Sequence, residues 1–146
     1  MSSFIYMAAD RPFTYPHKKD ESFRIFMMEE KTEDILTEKQ YCIHFECDYE
    51  EEERARTVVS YIKEQMQDQK EIEIWHIWMG AAYPPPRIKR TKIKSGSLTA
   101  EKILELERTD VWQSESILGN AVVPDDWGIA EDEMEVSTQY CYTIVK

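Results

Sequence analysis

Residues 41 to 47, YCIHFEC, alternate so that every second side chain shares one face of an extended chain. One face carries Tyr41, Ile43, Phe45 and Cys47, and the other carries Cys42, His44 and Glu46. This period of two predicts a strand with one buried face. Apolar side chains then recur at helical spacing up to about residue 69 and predict an amphipathic helix with the stripe Ala55, Val58, Val59, Ile62 and Met66. Such a strand followed directly by such a helix requires a sheet that is covered by a helix on one face.

The junction between this strand and this helix is strongly acidic. Asp48 stands three residues before Glu51, which is the spacing of an N-terminal capping box. The four consecutive glutamates at 50–53 fall in the first helical turn, where the helix dipole stabilises negative charge. The acidic run is therefore explained without a ligand.

Further strands and a second helix surround this unit. The segments 3–9 and 22–29 are short, aromatic and β-branched, and a loop with two prolines joins them, so they are predicted to form a wide hairpin. Residues 71–78 and 87–94 are predicted strands joined by AAYPPP. Thr99 is the predicted N-cap of the second helix, whose buried side is expected to carry Ala100, Ile103 and Leu104, with Leu106 as a further candidate. TQYCYTIVK, at 138–146, is the predicted last strand.

From residue 41 onward the predicted order is strand, helix, strand, strand, helix, strand. This βαββαβ order predicts an α+β protein with a ferredoxin-like fold over residues 41–146, in which both helices cover one face of an antiparallel sheet. The strand pair within residues 1–40 is expected to extend that sheet. At 146 residues the chain, 1–146, has the size of a single domain, and the stretch 113–136 is expected to be a long acidic loop.

Five of the 18 basic side chains fall within the eight residues 87–94: Arg87, Lys89, Arg90, Lys92 and Lys94. If this strand pairs antiparallel with 71–78 so that paired residue numbers sum to 165, Glu71 faces Lys94, Glu73 faces Lys92, and Trp75 faces Arg90. Opposite charges and a cation–π contact then contribute roughly 0.2 to 1 kcal/mol per pair. The pattern predicts that three of the five cations complement the acidic strand rather than bind a ligand.

Arg87 and Lys89 are left over on the opposite face, beside His76 and Trp78. This corner is a candidate site for a small molecule or an anion. His76 by itself is more typical of a packed histidine than of a general base, because neither a nucleophile nor an orienting acid accompanies it in the sequence.

The polar face of the strand 41–47 has two interpretations. Its side chains could bind a metal ion, but a closed site needs a further ligand such as Cys141 or His17, and the spacing matches no zinc motif. A structural polar face is therefore favoured over a metal site, and an enzyme of unrecognised type around Cys42 and His44 remains a separate hypothesis. The sequence contains no Gly-rich phosphate loop, no GxSxG and no HExxH. We predict no cofactor and no metal, and a binding protein rather than an enzyme.

The net charge of −11 disfavours nucleic acid and anionic membrane as partners and favours a basic protein. The chain has no run of 18 apolar residues and no signal-peptide core, and its three cysteines form no Cys-x-x-Cys motif, so a cytoplasmic location is expected. Trp127, in PDDWG, is a candidate anchor for a basic partner. The full set of candidate binding residues is Trp75, His76, Trp78, Arg87, Lys89, Arg90 and Trp127.

Three hypotheses of function follow from these patterns. The leading one is a small acidic intracellular binding protein, for example an immunity-type inhibitor of a basic toxin or nuclease. The second is a small-molecule or anion-binding domain that uses the corner of His76, Trp78, Arg87 and Lys89, with homo-oligomerisation left open. The third is an enzyme of unrecognised type.

Overall fold

The computed structural model describes residues 3–16, 22–27, 36–78, 86–116 and 133–146. They form seven strands, two α-helices and one short 3-10 helix. In chain order these are β1 (Ser3–Ala9), β2 (Phe23–Met27), β3 (Tyr41–Cys47), α1 (Glu51–Gln65), β4 (Glu71–Trp78), β5 (Arg87–Lys94), the 3-10 helix Ser95–Ser97, α2 (Ala100–Glu107), β6 (Trp112–Ser116) and β7 (Glu133–Val145). The predicted α+β class is confirmed.

Six strands lie side by side in the order β2-β3-β1-β4-β7-β5, and β6 pairs with the first part of β7. All neighbours are antiparallel except β5 and β7, which are parallel, so the sheet is mixed. The predicted ferredoxin-like topology is wrong, because β7 separates β4 from β5, which that fold pairs directly as a hairpin.

β1 is a central strand rather than an extension at the edge. It pairs with β3 on one side and with β4 on the other, whereas β2 pairs with β3, so the predicted hairpin of the two N-terminal strands is also wrong. The physical reason lies in the composition of β1: Met7, Ala8 and Ala9 are all fully buried. A strand that is apolar on both faces is stabilised more at the centre of a sheet than at its rim.

The two faces of the sheet differ in what covers them. Both helices pack on one face, which we call the helix face, where Ile43, Ile72 and Ile144 form one core with Ile62 of α1 and Leu106 of α2. On the opposite face, the outer face, a second and smaller buried cluster consists of Tyr6, Trp75, Ile77 and Cys141.

The two helix N-termini differ in their caps. Thr99 caps α2 as predicted, because its side chain accepts a hydrogen bond from the backbone N–H of Lys102. The predicted capping box of α1 is wrong: the N-cap is Glu50, and its side chain makes no capping hydrogen bond. Asp48 is instead tied to the strands, since its backbone N–H donates to Ser22 O at 2.8 Å.

The predicted loop 113–136 begins and ends in strand, because β6 extends to Ser116 and β7 begins at Glu133. The remainder of that segment, including Trp127, and the greater part of AAYPPP lie outside the described residues. Neither helix in the described part of the chain is long and apolar enough to cross a membrane.

Candidate functional site

The acidic strand β4 and the basic strand β5 are in register but are not neighbours. β7 lies between them, antiparallel to β4 and parallel to β5, so the predicted direct pairing of 71–78 with 87–94 is wrong. The predicted rows are nevertheless present, each with one residue of β7 inserted: Glu71–Val145–Lys94, Glu73–Thr143–Lys92 and Trp75–Cys141–Arg90. β4 and β5 are thus antiparallel to each other at a distance of two strands.

Arg90 spans β7 and contacts two side chains of β4 on the outer face. Its Nη1 lies 2.9 Å from Oε2 of Glu73, and its guanidinium carbon lies 4.9 Å from the centre of the Trp75 ring. The residue between them in the row is Cys141, whose short side chain leaves room for the crossing. The predicted cation–π contact is confirmed. Of the two residues in this contact, Trp75 is fully buried and the Arg90 side chain is 44% exposed, so solvent reaches the pair only at Arg90.

Glu73 is a buried carboxylate with three hydrogen-bond donors. The Thr37 hydroxyl and Arg90 donate to it, and Nε1 of Trp75 donates at 3.1 Å. The interior tolerates a charge when it is paired and hydrogen-bonded in this way. Lys92, the predicted partner of Glu73, forms no ion pair with the described residues, because Arg90 takes that position.

The segment 36–40 covers the outer face over β4 and β7. The Thr37 hydroxyl donates to Glu73, and the backbone N–H of Leu36 donates to Oε1 of Gln139 at 3.3 Å. Gln139 and Trp75 are both buried there. The part of the outer face that carries Glu73 and Trp75 is therefore closed by the chain itself.

An acidic cleft of about 500 Å³ opens beside this segment. It is lined by Asp10, Glu38, Lys39, Glu71, Glu73 and Arg90. Nζ of Lys39 lies 2.9 Å from Asp10 Oδ2 and 3.2 Å from Glu71 Oε1. Desolvation by itself lowers the pKa of Lys39. Its hydrogen bonds and charge contacts with Asp10 and Glu71 together raise the pKa by a larger amount, so the net shift is upward. The cleft therefore already stabilises one ammonium group in its charged form.

Glu71 does not pair with Lys94 as predicted. Its described ion-pair partner is Lys39, which belongs to the covering segment rather than to β5. Lys94 forms no ion pair within the described ranges. Lys89, Lys92 and Lys94 of β5 are exposed charges, and none of them forms an ion pair with the described residues of β4.

The predicted corner of His76, Trp78, Arg87 and Lys89 is divided by β7. On the helix face, Tyr140 pairs with His76 of β4 on one side and with Lys89 of β5 on the other. Arg87 and Lys89 are exposed, whereas His76 is buried and Trp78 is partly buried. The four side chains thus do not share one pocket among the described cavities.

His76 packs against the C-terminal end of α2. Its Nδ1 lies 2.7 Å from the Thr109 hydroxyl, which in turn donates to the Leu106 carbonyl at 2.7 Å. Burial lowers the pKa of His76, and the contributions of the Leu106 backbone and Glu107 in the opposite direction are smaller. The imidazole is therefore neutral at neutral pH.

Cys42 and His44 lie on the outer face, as the alternation predicts. Cys42 is buried, and the His44 ring stacks on Phe26 with centroids 4.8 Å apart and an interplanar angle of 13°. Burial raises the pKa of Cys141 to about 12, which keeps its thiol protonated. Across the described residues no three His, Cys, Asp or Glu side chains are grouped to hold a metal ion, and His17 lies outside those residues.

Sequence reasoning missed the residues that build the acidic cleft. Asp10, Glu38 and Lys39 lie in connecting segments, where charged residues carry no periodic signal. Only the topology, which brings the end of β1 and the start of β4 beside segment 36–40, places them together.

Comparisons with protein-family models, with curated proteins and with solved structures find no match for this chain.

Proposed function

We propose that this chain is a small acidic binding protein for a basic protein partner, and that the acidic cleft receives a lysine or arginine side chain of that partner. The observation that carries the proposal is the composition of the cleft. Four carboxylates face two cations there, which leaves a formal charge of −2. An immunity-type or inhibitory role toward a basic toxin or nuclease is the form of this function that the net charge of −11 favours.

The electrostatics of the cleft suit a cationic side chain. Lys39 is only 14% exposed and is held between Asp10 and Glu71, so these carboxylates already bind an ammonium group at close range. The carboxylate of Asp10 is 65% exposed, which leaves it accessible to a second cation. Partial burial strengthens such a contact relative to one in bulk water.

The exposed acids of α1 add a long-range contribution. Glu51 and Glu52 each pair with an arginine, at 3.2 and 3.3 Å respectively, yet both remain at least half exposed. Surface pairs of this kind contribute little to stability. They do contribute to the negative field that steers a basic partner toward the protein.

Anisotropy of a fluorescent arginine-rich peptide tests the cleft. We expect Glu38→Gln with Glu71→Gln to weaken binding at low salt about tenfold, because two charges are removed from the contact. Glu101→Gln with Glu105→Gln is the matched control, because it removes the same charge from exposed positions of α2. The control should weaken binding less than threefold, since its effect is only on the summed field.

Two outcomes would contradict the proposal. Equal losses in the two double variants would assign peptide binding to net charge and remove the cleft from the interface. Binding that persists unchanged at 1 M salt, where the Debye length falls to about 3 Å, would show that charge does not drive the association.

A further inference from the structure

Two exposed hydrophobic side chains adjoin the same residue of β7 on the outer face. Leu36 is 38% exposed and Ile88 is 43% exposed, although both are large aliphatic residues. The backbone N–H of Leu36 donates to Oε1 of Gln139 at 3.3 Å, and Ile88 is opposite Gln139 in the register of β5 with β7. Ile88 shares the outer face with Arg90, which lies two residues further along β5. We call Leu36 and Ile88 the apolar patch.

The apolar patch is held in place by buried polar contacts. Gln139 is buried and joins Leu36 to β7. The next residue, Thr37, is also buried, and its hydroxyl donates to Glu73 of β4. A surface that is already ordered loses less conformational entropy when a partner binds. The patch can therefore bind a partner without first being reorganised.

The apolar patch continues into the acidic cleft along two separate elements. Glu38 lines the cleft and follows Leu36 by two residues. Arg90 lines the cleft and follows Ile88 by two residues on the same face of β5. Two residues of a strand span roughly 7 Å. The cleft and the patch thus form one surface with a charged end and an apolar end, which is the usual combination at a protein interface.

The lysines of β5 restrict what can cover the apolar patch. Lys89 follows Ile88 directly, and Lys92 lies on the same strand; both are exposed, and neither forms an ion pair with the described residues of β4. A cation brought to Ile88 would lie within the Debye length of about 8 Å from Lys89 and would be repelled. A neutral aliphatic side chain instead gains from burial there.

We propose that this surface binds an extended segment of the basic partner, in which a lysine or arginine enters the acidic cleft and an aliphatic side chain two residues away covers Leu36 and Ile88. The inference rests on the proposed function, since the cation is the one that the cleft receives. The spacing of two follows from the period of an extended chain, in which every second side chain shares a face. The partner is thus recognised by a cation and an aliphatic residue at this spacing, and not by a run of cations.

Three synthetic peptides test the motif on the wild-type protein. They share the sequence Ser-Gly-Ser-Arg-Ser-X-Ser-Gly-Ser, with leucine, serine or arginine at X, and are titrated at low salt while the backbone amides are followed by NMR. We expect the leucine peptide to shift the amides of Leu36, Glu38 and Ile88 and to bind about tenfold more tightly than the serine peptide, because part of a leucine side chain is buried. The arginine peptide should bind more weakly than the leucine peptide. Equal affinity of the leucine and serine peptides, or tightest binding of the arginine peptide, would overturn the proposal.

Variants of the apolar patch locate the preference for leucine. Leu36→Ser and Ile88→Ser should each remove most of the tenfold difference between the leucine and serine peptides. Phe26→Ser is the matched control, because Phe26 is also 38% exposed and lies on the outer face, but on β2 at the far side of the sheet. The control should keep the difference. A preference for leucine that survives in both patch variants, or that is lost in the control, would show that the aliphatic side chain binds elsewhere.

The cleft variant separates this inference from the proposed function. Glu38→Gln with Glu71→Gln should weaken all three peptides, because each of them carries the arginine that enters the cleft. If it does so while the leucine and serine peptides bind equally well to the wild type, the cleft receives a cation but the apolar patch takes no part. If it weakens none of the peptides, the proposed function is wrong and this inference falls with it.

Discussion

Arg90 and Glu73 form one ion pair, yet only one of the two charges is buried. The side chain of Glu73 is 6% exposed and that of Arg90 is 44% exposed. Arg90→Gln leaves a carboxylate buried beside Trp75 without its cation, and we expect it to lower the free energy of unfolding by about 2 to 3 kcal/mol. Glu73→Gln leaves a guanidinium that water can solvate, and its expected cost is about 1 kcal/mol.

Urea denaturation at pH 7 measures both losses. Lys92→Gln, an exposed substitution two residues along the same strand, is the control and should change the free energy of unfolding by less than about 0.5 kcal/mol. If Glu73→Gln proves as costly as Arg90→Gln, the asymmetry of burial is not what sets the cost.

His76 makes stability depend on pH in a defined direction. Its pKa is lowered in the folded protein relative to the ordinary value of 6.5, chiefly by burial. Between the two pKa values the unfolded chain binds a proton that the folded protein does not, so the free energy of unfolding falls as the pH is lowered through about 6.5. Above that pH the contribution is fully present.

Urea midpoints at a series of pH values between about 8 and 5.5 check this expectation, since carboxylates titrate mainly below that range. His76→Gln should flatten the curve there, whereas His44→Gln should leave the dependence due to His76 in place. A wild-type curve that is already flat in this range would contradict the argument.

At the residue scale, the sequence predicted which side chains share a row but not which strands touch. Glu73 with Lys92 and Trp75 with Arg90 do lie in common rows. The sequence pattern reports the relative direction of β4 and β5 and which of their residues share a row. Inserting β7 between the two strands changes neither the direction nor the rows. Arg90 is long enough to reach across that strand, so the predicted contact with Trp75 survives the wrong neighbour.

The two helices allow a matched pair of substitutions at the level of the element. Glu50, the N-cap of α1, has an extended backbone with φ −62° and ψ 161°, which is the conformation that an N-cap needs, but its side chain makes no capping bond. Glu50→Asp keeps the charge and supplies a shorter carboxylate, and we expect it to raise the free energy of unfolding by about 0.5 to 1 kcal/mol.

Thr99→Ala is the opposite change at α2, because it removes a cap that the structure contains. Its expected cost is about 1 kcal/mol, measured by the same urea titration. Glu50→Ala serves as the control for α1 and should bring no gain. A neutral or destabilising Glu50→Asp would mean that the new carboxylate does not reach the first-turn amides.

The strands and helices themselves were largely predictable. β1, β3, β4 and β5 have the predicted bounds, because alternation and apolar spacing are local signals. The sheet order was not predictable from them, because it depends on contacts between distant segments. One local signal did exist: SFIYMAA is apolar on both faces, and such a strand belongs at the centre of a sheet rather than at its edge.

At the scale of the whole molecule, β5 is an edge strand, since among the described strands it pairs only with β7. Residues 87–92 are all exposed, and among them Lys89 and Lys92 form no ion pair with the described residues of β4. Charged side chains on an edge strand oppose pairing with another chain. We therefore expect Lys89→Gln with Lys92→Gln to increase self-association.

Light scattering and sedimentation over a concentration series measure that association. The matched control is Lys63→Gln with Lys102→Gln, which also takes the formal charge from −11 to −13 by removing two cations. The added net charge alone should oppose association in both variants. If the β5 variant self-associates no more than the control does, the lysines of β5 do not prevent association through this edge strand.

The placement of β7 also bears on synthesis at the ribosome. β4 and β5 are translated before β7, yet in the finished sheet they are joined only through β7. The part of β7 that lies between them is about forty residues further along the chain than the end of β5, counted from residue 94 to residue 137. Until that strand arrives, the nascent chain can hold only the sheet β2-β3-β1-β4 with β5 unpaired, and β4 presents the open edge of an apolar strand to a neighbouring polypeptide. The vulnerable interval in the life of this molecule is therefore the wait for its last strand, and holding chaperones would be needed most during it.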